Sequence, residues 1–262
     1  MTQSASPDPD DDISLQALRS SLNLCEAQLA QAQREMSGLL YAISHDLRAP
    51  LRALTGFNQA LQEHLGGSID DTGKHYLHRL DQASQRMSSM IDAVLMLSRV
   101  MQTDLIPLDV DLAALSREAI AEIASRYPDH HPVVSIASPL QAHGDPRLLK
   151  QVLSKLLENA WKCTMHHADP RIEVGGGSDG GTTTCFVKDN GIGFDMALSS
   201  KLFVPFQQLH AGEALRGQGL GLAIAQRIIA RHGGRIWAQS EPGHGAEFFF
   251  SLPSATRATH TT

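Results

Sequence analysis

Apolar residues at Leu18, Leu22, Cys25, Leu29, Ala32, Met36, Leu39 and Ile43 are spaced alternately by four and three, which draws one narrow apolar stripe along a helix. The residues between them are largely Gln, Ser, Glu and Arg, so the other faces are polar. That fits a coiled coil better than an amphipathic helix lying on a globular core. The pattern continues through Leu47, Leu51, Leu54 and Leu61 to Leu65, with a bend expected at Pro50 and a stop at Gly66 and Gly67. A second stripe of the same period runs through Tyr76, Leu80, Ala83, Met87, Met90, Val94, Leu97 and Met101. The two helices predict an antiparallel hairpin. One hairpin leaves too much apolar seam in water, and two hairpins side by side make a four-helix bundle, so the burial requirement predicts a homodimer.

Beyond a linker at 105–110, which contains Pro107, the periodicity becomes mixed. Helical windows at about 111–126, 146–165 and 219–232 alternate with β-rich runs at 133–136, 171–174, 182–188, 235–238 and 247–252. The last two runs flank Pro242-Gly243-His244-Gly245, a hairpin-like turn. This predicts an α+β two-layer sandwich, mainly antiparallel at its C-terminal end. The expected organisation is an acidic disordered tail over 1–12, a coiled-coil signalling helix over 13–35, the helical hairpin over 36–104, the linker, the sandwich over 111–253 and a polar tail over 254–262.

Composition narrows the function without naming it. In 262 residues, 42% hydrophobic and 19% charged, there is room for one or two compact cores. The 22 Lys+Arg against 28 Asp+Glu give a formal charge of −6, which disfavours nonspecific binding to nucleic acid or an anionic membrane. Cys25, Cys163 and Cys185 share no metal-ligand or redox spacing. No run is apolar and long enough to span a bilayer, and the first residues lack the basic and apolar regions of a signal peptide, so the expected location is cytoplasmic.

Four constellations carry chemistry. In Ser44-His45-Asp46-Leu47-Arg48-Ala49-Pro50-Leu51-Arg52, His45 lies two residues past Ile43 and points away from the seam. A surface histidine is usually no more than that, but an exposed neutral imidazole can attack phosphorus, and Asp46 is placed to take its ring proton. In Leu156-Leu157-Glu158-Asn159-Ala160-Trp161-Lys162-Cys163-Thr164, Asn159 and Lys162 share one helix face, where an amide oxygen can ligate Mg²⁺ and an ammonium can meet phosphate. The alternative is a plain polar face. Asp189-Asn190-Gly191-Ile192-Gly193-Phe194-Asp195 follows a strand and reads equally as an Asn-Gly turn or as an adenine site, with a carboxylate at the strand end and glycines admitting a flat base. Arg216-Gly217-Gln218-Gly219-Leu220-Gly221-Leu222-Ala223-Ile224 leads glycines into a helix whose N-terminus can hold an anion. Alone it is weak, and it matches neither the Walker nor the dinucleotide fingerprint.

In order and spacing, these boxes and the segment Leu202-Phe203-Val204-Pro205-Phe206 resemble the bacterial sensor histidine kinases over roughly 36–253, and the His box is most like that of phytochrome-like transmitters. The resemblance implies a dimerisation and phosphotransfer hairpin followed by an ATP-binding domain of the Bergerat type, shared with gyrase and the Hsp90 chaperone. It implies His45 as phosphoacceptor with Asp46 its acid neighbour, Asn159 as Mg²⁺ ligand, Lys162 as phosphate contact and Asp189 as adenine reader. Gly191, Gly193, Gly217, Gly219 and Gly221 would shape the nucleotide pocket, and residues 207–216 its lid. The implied reaction is autophosphorylation of His45 by MgATP and transfer to an aspartate of a response regulator receiver domain, with the input from an upstream sensory protein or domain. Lys155 stands where the family has a second asparagine and its hydrolytic relatives a glutamate, Gln208 where phytochrome-like members often have arginine, and Ala49 where a Thr or Asn orients water for regulator dephosphorylation. Lys155 keeps open a non-catalytic dimeric scaffold; an ATP-hydrolysing clamp of the gyrase type is the other alternative.

Overall fold

A computed structural model describes residues 9–65, 69–207 and 219–253. Helix α1 spans Pro9–Leu65 and continues through Pro50. It starts inside the stretch expected to be a tail; proline is tolerated in a first turn because its missing N–H would have no partner there. Helix α2, Asp71–Gln102, is capped by Asp70, whose carboxylate accepts from Gly73 N–H at 2.8 Å. The two pack as the expected hairpin around Leu51, Ile91 and Leu95. Asn58, buried, donates to the carbonyl of Leu77 across the pair.

Within one chain, α1 turns Ser44, Leu51 and Asn58 toward α2 and leaves Leu47, Leu54 and Leu61 outside. On α2, Tyr76, Leu80, Met87 and Met90 are likewise exposed, Leu80 to 55%. The predicted stripe is therefore only partly the inner seam. α1 has two apolar-bearing faces, one on α2 and one left in water by a single chain.

The linker is not structureless. Leu108–Asp111 forms strand β1, paired antiparallel with β3, Gln141–Gly144, in a small separate sheet. Helices α3 (Leu112–Arg126), α4 (Pro146–Cys163) and α5 (Gly221–Arg231) back a five-stranded sheet of β2 (Val133–Ile136), β4 (Arg171–Asp179), β5 (Thr182–Asp189), β6 (Arg235–Ser240) and β7 (Ala246–Pro253). Its order is β2-β4-β5-β7-β6, antiparallel except for β2 with β4. Strict alternation sends Ala246, Phe248, Phe250 and Leu252 inward, where they meet Leu153, Leu156, Leu157, Ile224 and Ile228 of the helices. This is the expected two-layer sandwich. Ala93 and Val100 of α2 join the same core, and Arg231 of α5 donates to the carbonyl of Val100, so the hairpin's last turns dock on α5.

Candidate functional site

Ser44 is buried against α2, and one residue farther along a helix is a turn of about 100°, so His45 faces outward. Its side chain is 71% exposed, and its Nδ1 lies 3.3 Å from Asp46 Oδ1. One turn on, Arg48 pairs with Asp92 of α2 and steadies that stretch of hairpin. The structure thus leaves the predicted nucleophile open to approach, with the predicted acid in contact.

Helix α4 opens on Asp145-Pro146, a capping aspartate before a first-turn proline. Asp145 is fully buried; the Arg147 guanidinium and backbone donors hold its carboxyl well below the usual carboxylate range. Toward the other end, Lys162 Nζ lies 3.1 Å from Glu158 Oε1, which also accepts from Arg126 and from the Tyr127 hydroxyl at 3.3 Å. Burial would raise the Glu158 carboxyl, but Lys162, Arg126 and Lys155 outweigh it and hold it low. Glu158 received no role from the sequence reading, although a Glu four residues before a Lys is a recognisable helix pair. It holds the Lys162 ammonium in place. The Asn159 amide has no hydrogen-bond partner among the described residues.

Strand β5 ends at Asp189, which is buried. Its Oδ1 accepts from Gly191 N–H at 2.8 Å, while Oδ2 has no partner among the described residues. Burial pushes the carboxyl up to about 6 despite the Gly191 N–H that bonds it. The reading of Asp189–Asp195 as a plain hairpin turn fails, because β5 pairs with β4 and β7 and the chain leaves the sheet here. Asn190 instead accepts from Arg171 N–H and donates to the carbonyl of Asp169. The loop is clamped on both sides: Ile192 N–H donates to the Cys163 carbonyl, Gly243 N–H to the Ile192 carbonyl, and Phe194 N–H to Ser240 Oγ. Gly193 is obligatory, since its φ is +59° and a Cβ would lie 2.0 Å from the Glu241 carbonyl oxygen.

Gly219, φ +65°, is equally constrained, packed on the backbone of Phe206 and Gln207. Gly221 begins α5, whose N-cap residue Leu220 supplies no side-chain acceptor, leaving first-turn N–H groups available to an anion. Gly217, Gln208, Arg216 and most of the expected lid lie outside the described residues. The predicted residues thus gather in two places. The end of β5 and the start of α5 both meet α4, the helix of Asn159 and Lys162: Gly191, beside Asp189, packs at the Cys163 carbonyl and Gly221 on the Lys155 stem, while His45 with Asp46 stands apart on the hairpin.

Two family models match. The His Kinase A (phospho-acceptor) domain covers residues 35–103, and the histidine kinase-, DNA gyrase B- and HSP90-like ATPase covers 144–256, together more than half of the chain. The chain belongs to the sensor histidine kinase transmitters. Its C-terminal unit is accordingly an ATP-binding domain of that family. The methanogenesis regulatory histidine kinase FilI of Methanothrix harundinacea is 35% identical over 84% of this chain and 25% of its own length. The phytochrome-like protein Cph1 of Synechocystis is 30% identical over 86% of this transmitter and 30% of its own length. The transmitter therefore spans between a quarter and a third of these relatives. Among solved structures, full-length ShkA in complex with AMPPNP superposes with a TM-score of 0.60 at 27% identity, covering 82% of this chain and 45% of ShkA. Among the described residues no helix is long and apolar enough to cross a membrane.

Proposed function

We propose that this transmitter is an ATP-dependent protein-histidine kinase that phosphorylates its own His45 and passes the phosphoryl group to an aspartate of a response regulator receiver domain. The observation that carries the reading is Asp189, buried at a strand end with one carboxylate oxygen unpartnered among the described residues. It suits an amino donor on a flat base, such as that of adenine. The AMPPNP held by the relative ShkA supports the same ligand class.

With the Nδ1 proton held on the Asp46 side, Nε2 of His45 keeps its lone pair and attacks the γ-phosphorus; the bond to the bridging oxygen breaks and ADP leaves. Asn159 fits Mg²⁺, because its amide oxygen carries no competing protein bond among the described residues. When bound, the ion neutralises phosphate charge. Lys155 and the Lys162-paired Glu158 supply no free carboxylate for activating water, which argues against a hydrolysing clamp.

Incubation with γ-labelled ATP tests the reading. A kinase retains acid-labile, base-stable label on protein, a scaffold retains none, and a clamp releases free phosphate without phosphohistidine. Asn159→Ala is expected to erase most of the Mg²⁺-dependent gain in nucleotide affinity, about tenfold, while leaving metal-free binding in place. Titration of nucleotide with and without Mg²⁺ checks this, and an unchanged difference assigns Asn159 to structure alone.

The working unit is a homodimer. Outward-facing Leu80, Met87, Leu54 and Leu61 give a second hairpin the apolar seam that a single chain leaves in water. Leu80→Asp would bury a charge there and is expected to yield monomers or unfolded chain in sedimentation. An unchanged dimer would remove this face from the interface. An upstream sensory protein or domain supplies the input through α1.

A further inference from the structure

Between the C-terminal half of α2 and the helices α4 and α5 lies an open cleft of about 620 Å³. Its charged lining is Arg48 from α1, Asp92 and Arg99 from α2, and Arg147 and Lys155 from α4. Arg48 is engaged by Asp92, and Arg147 by Asp145. Among the described residues neither Arg99 nor Lys155 forms a close ion pair, although Lys155 helps hold the Glu158 carboxyl ionised from a distance. The chain as a whole carries −6, so this concentration of positive charge is local and not a matter of composition.

The Lys155 stem runs against the first residue of α5: a Cβ built on Gly221 would lie 3.5 Å from Lys155 Cδ. The side chain therefore lies beside a helix N-terminus that no described side chain caps, where positive charge is unfavourable unless an anion joins it. Lys155, Asn159 and Lys162 follow one another along α4 at spacings of four and three, on one side of the helix. On the opposite wall, Arg48 is three residues from His45, on the same side of α1. The cleft thus joins the helix that bears the nucleophile to the helix that bears the nucleotide groups.

We propose that Arg99 and Lys155 jointly bind the terminal phosphate of the nucleotide, so that the cleft formed where the hairpin meets α4 and α5 distinguishes a triphosphate from a diphosphate. The inference rests on the kinase reading above and assigns it a discriminating element shared between the two units. Arg99 is the informative residue, because it belongs to the hairpin and has no part in binding adenine.

The test is equilibrium binding of ADP and of a non-hydrolysable ATP analogue to the full chain, for the unmodified protein, Arg99→Gln, Arg99→Lys and Lys155→Gln. The expected result is that Arg99→Gln and Lys155→Gln each weaken the analogue about tenfold and leave ADP within about twofold, and that Arg99→Lys recovers most of the loss. A preference for triphosphate over diphosphate that is unchanged in either Gln variant overturns the proposal. So does an equal loss for both nucleotides, which is what a purely structural role of Arg99 at the end of α2 would produce. Where the variants fail in either of these ways while the unmodified chain binds both nucleotides and labels His45, only the cleft assignment falls; an unmodified chain that binds neither nucleotide overturns the kinase reading as well.

Discussion

His45→Ala is expected to reduce protein-bound label from γ-labelled ATP to background, a loss of at least about a hundredfold, while nucleotide affinity changes less than about twofold. The separation follows from the structure. His45 is exposed on the hairpin, and Asp189, Asn159 and the constrained glycines belong to a different unit, so removing the imidazole takes away the nucleophile without touching the pocket. Asp46→Asn is a graded companion. It retains an oxygen near Nδ1 but cannot hold a proton, and it is expected to slow labelling about a hundredfold at saturating ATP. The measurement is single-turnover labelling beside a titration with an ATP analogue. If His45→Ala weakened nucleotide binding as much as labelling, the assignment of acceptor and pocket to separate units would be wrong.

Much of this was legible along the chain, and the parts that were not share a cause. Period-seven stripes and the alternation of β7 are local properties, so the hairpin and the strand with Phe248, Phe250 and Leu252 could be read directly. Which face of α1 meets α2 could not, because two of its inner positions are Ser44 and Asn58, polar residues that hydrophobic patterning assigns to water. The pair of β1 and β3 was missed since each strand is four residues long and their partnership spans the whole of α3. In the site, Asp189 could be placed at a strand end. Its unpartnered oxygen depends on burial supplied by the rest of the domain. Likewise the passage of the Lys155 stem along Gly221 is a meeting of residues far apart in sequence.

Asp189→Asn is expected to act in opposite directions on binding and on stability. In the protein without nucleotide the carboxyl is pushed up to about 6 from an ordinary 3.8 by burial. A group whose folded value is raised favours folding when protonated. The ionised form therefore costs the fold about 3 kcal/mol at pH 7, and that cost fades as pH falls from about 6 toward 4. An amide of the same shape carries no charge, so Asp189→Asn should raise the melting temperature at pH 7 and lose that advantage by pH 4. For binding the sign reverses. A base amino group donating to Oδ2 favours the ionised carboxylate, so adenine nucleotide affinity is expected to be level above pH 7 and to fall as pH drops through about 6, with proton release on binding in that range. Asn removes the charge and can turn a donor toward a donor, and a loss of about a hundredfold in affinity is expected at pH 7. Calorimetric titration in two buffers of different ionisation enthalpy, with thermal melts across the same pH range, reads all of these at once. A variant that binds normally at pH 7, or an unmodified protein whose affinity ignores pH between 5 and 7, would remove Asp189 from the adenine site.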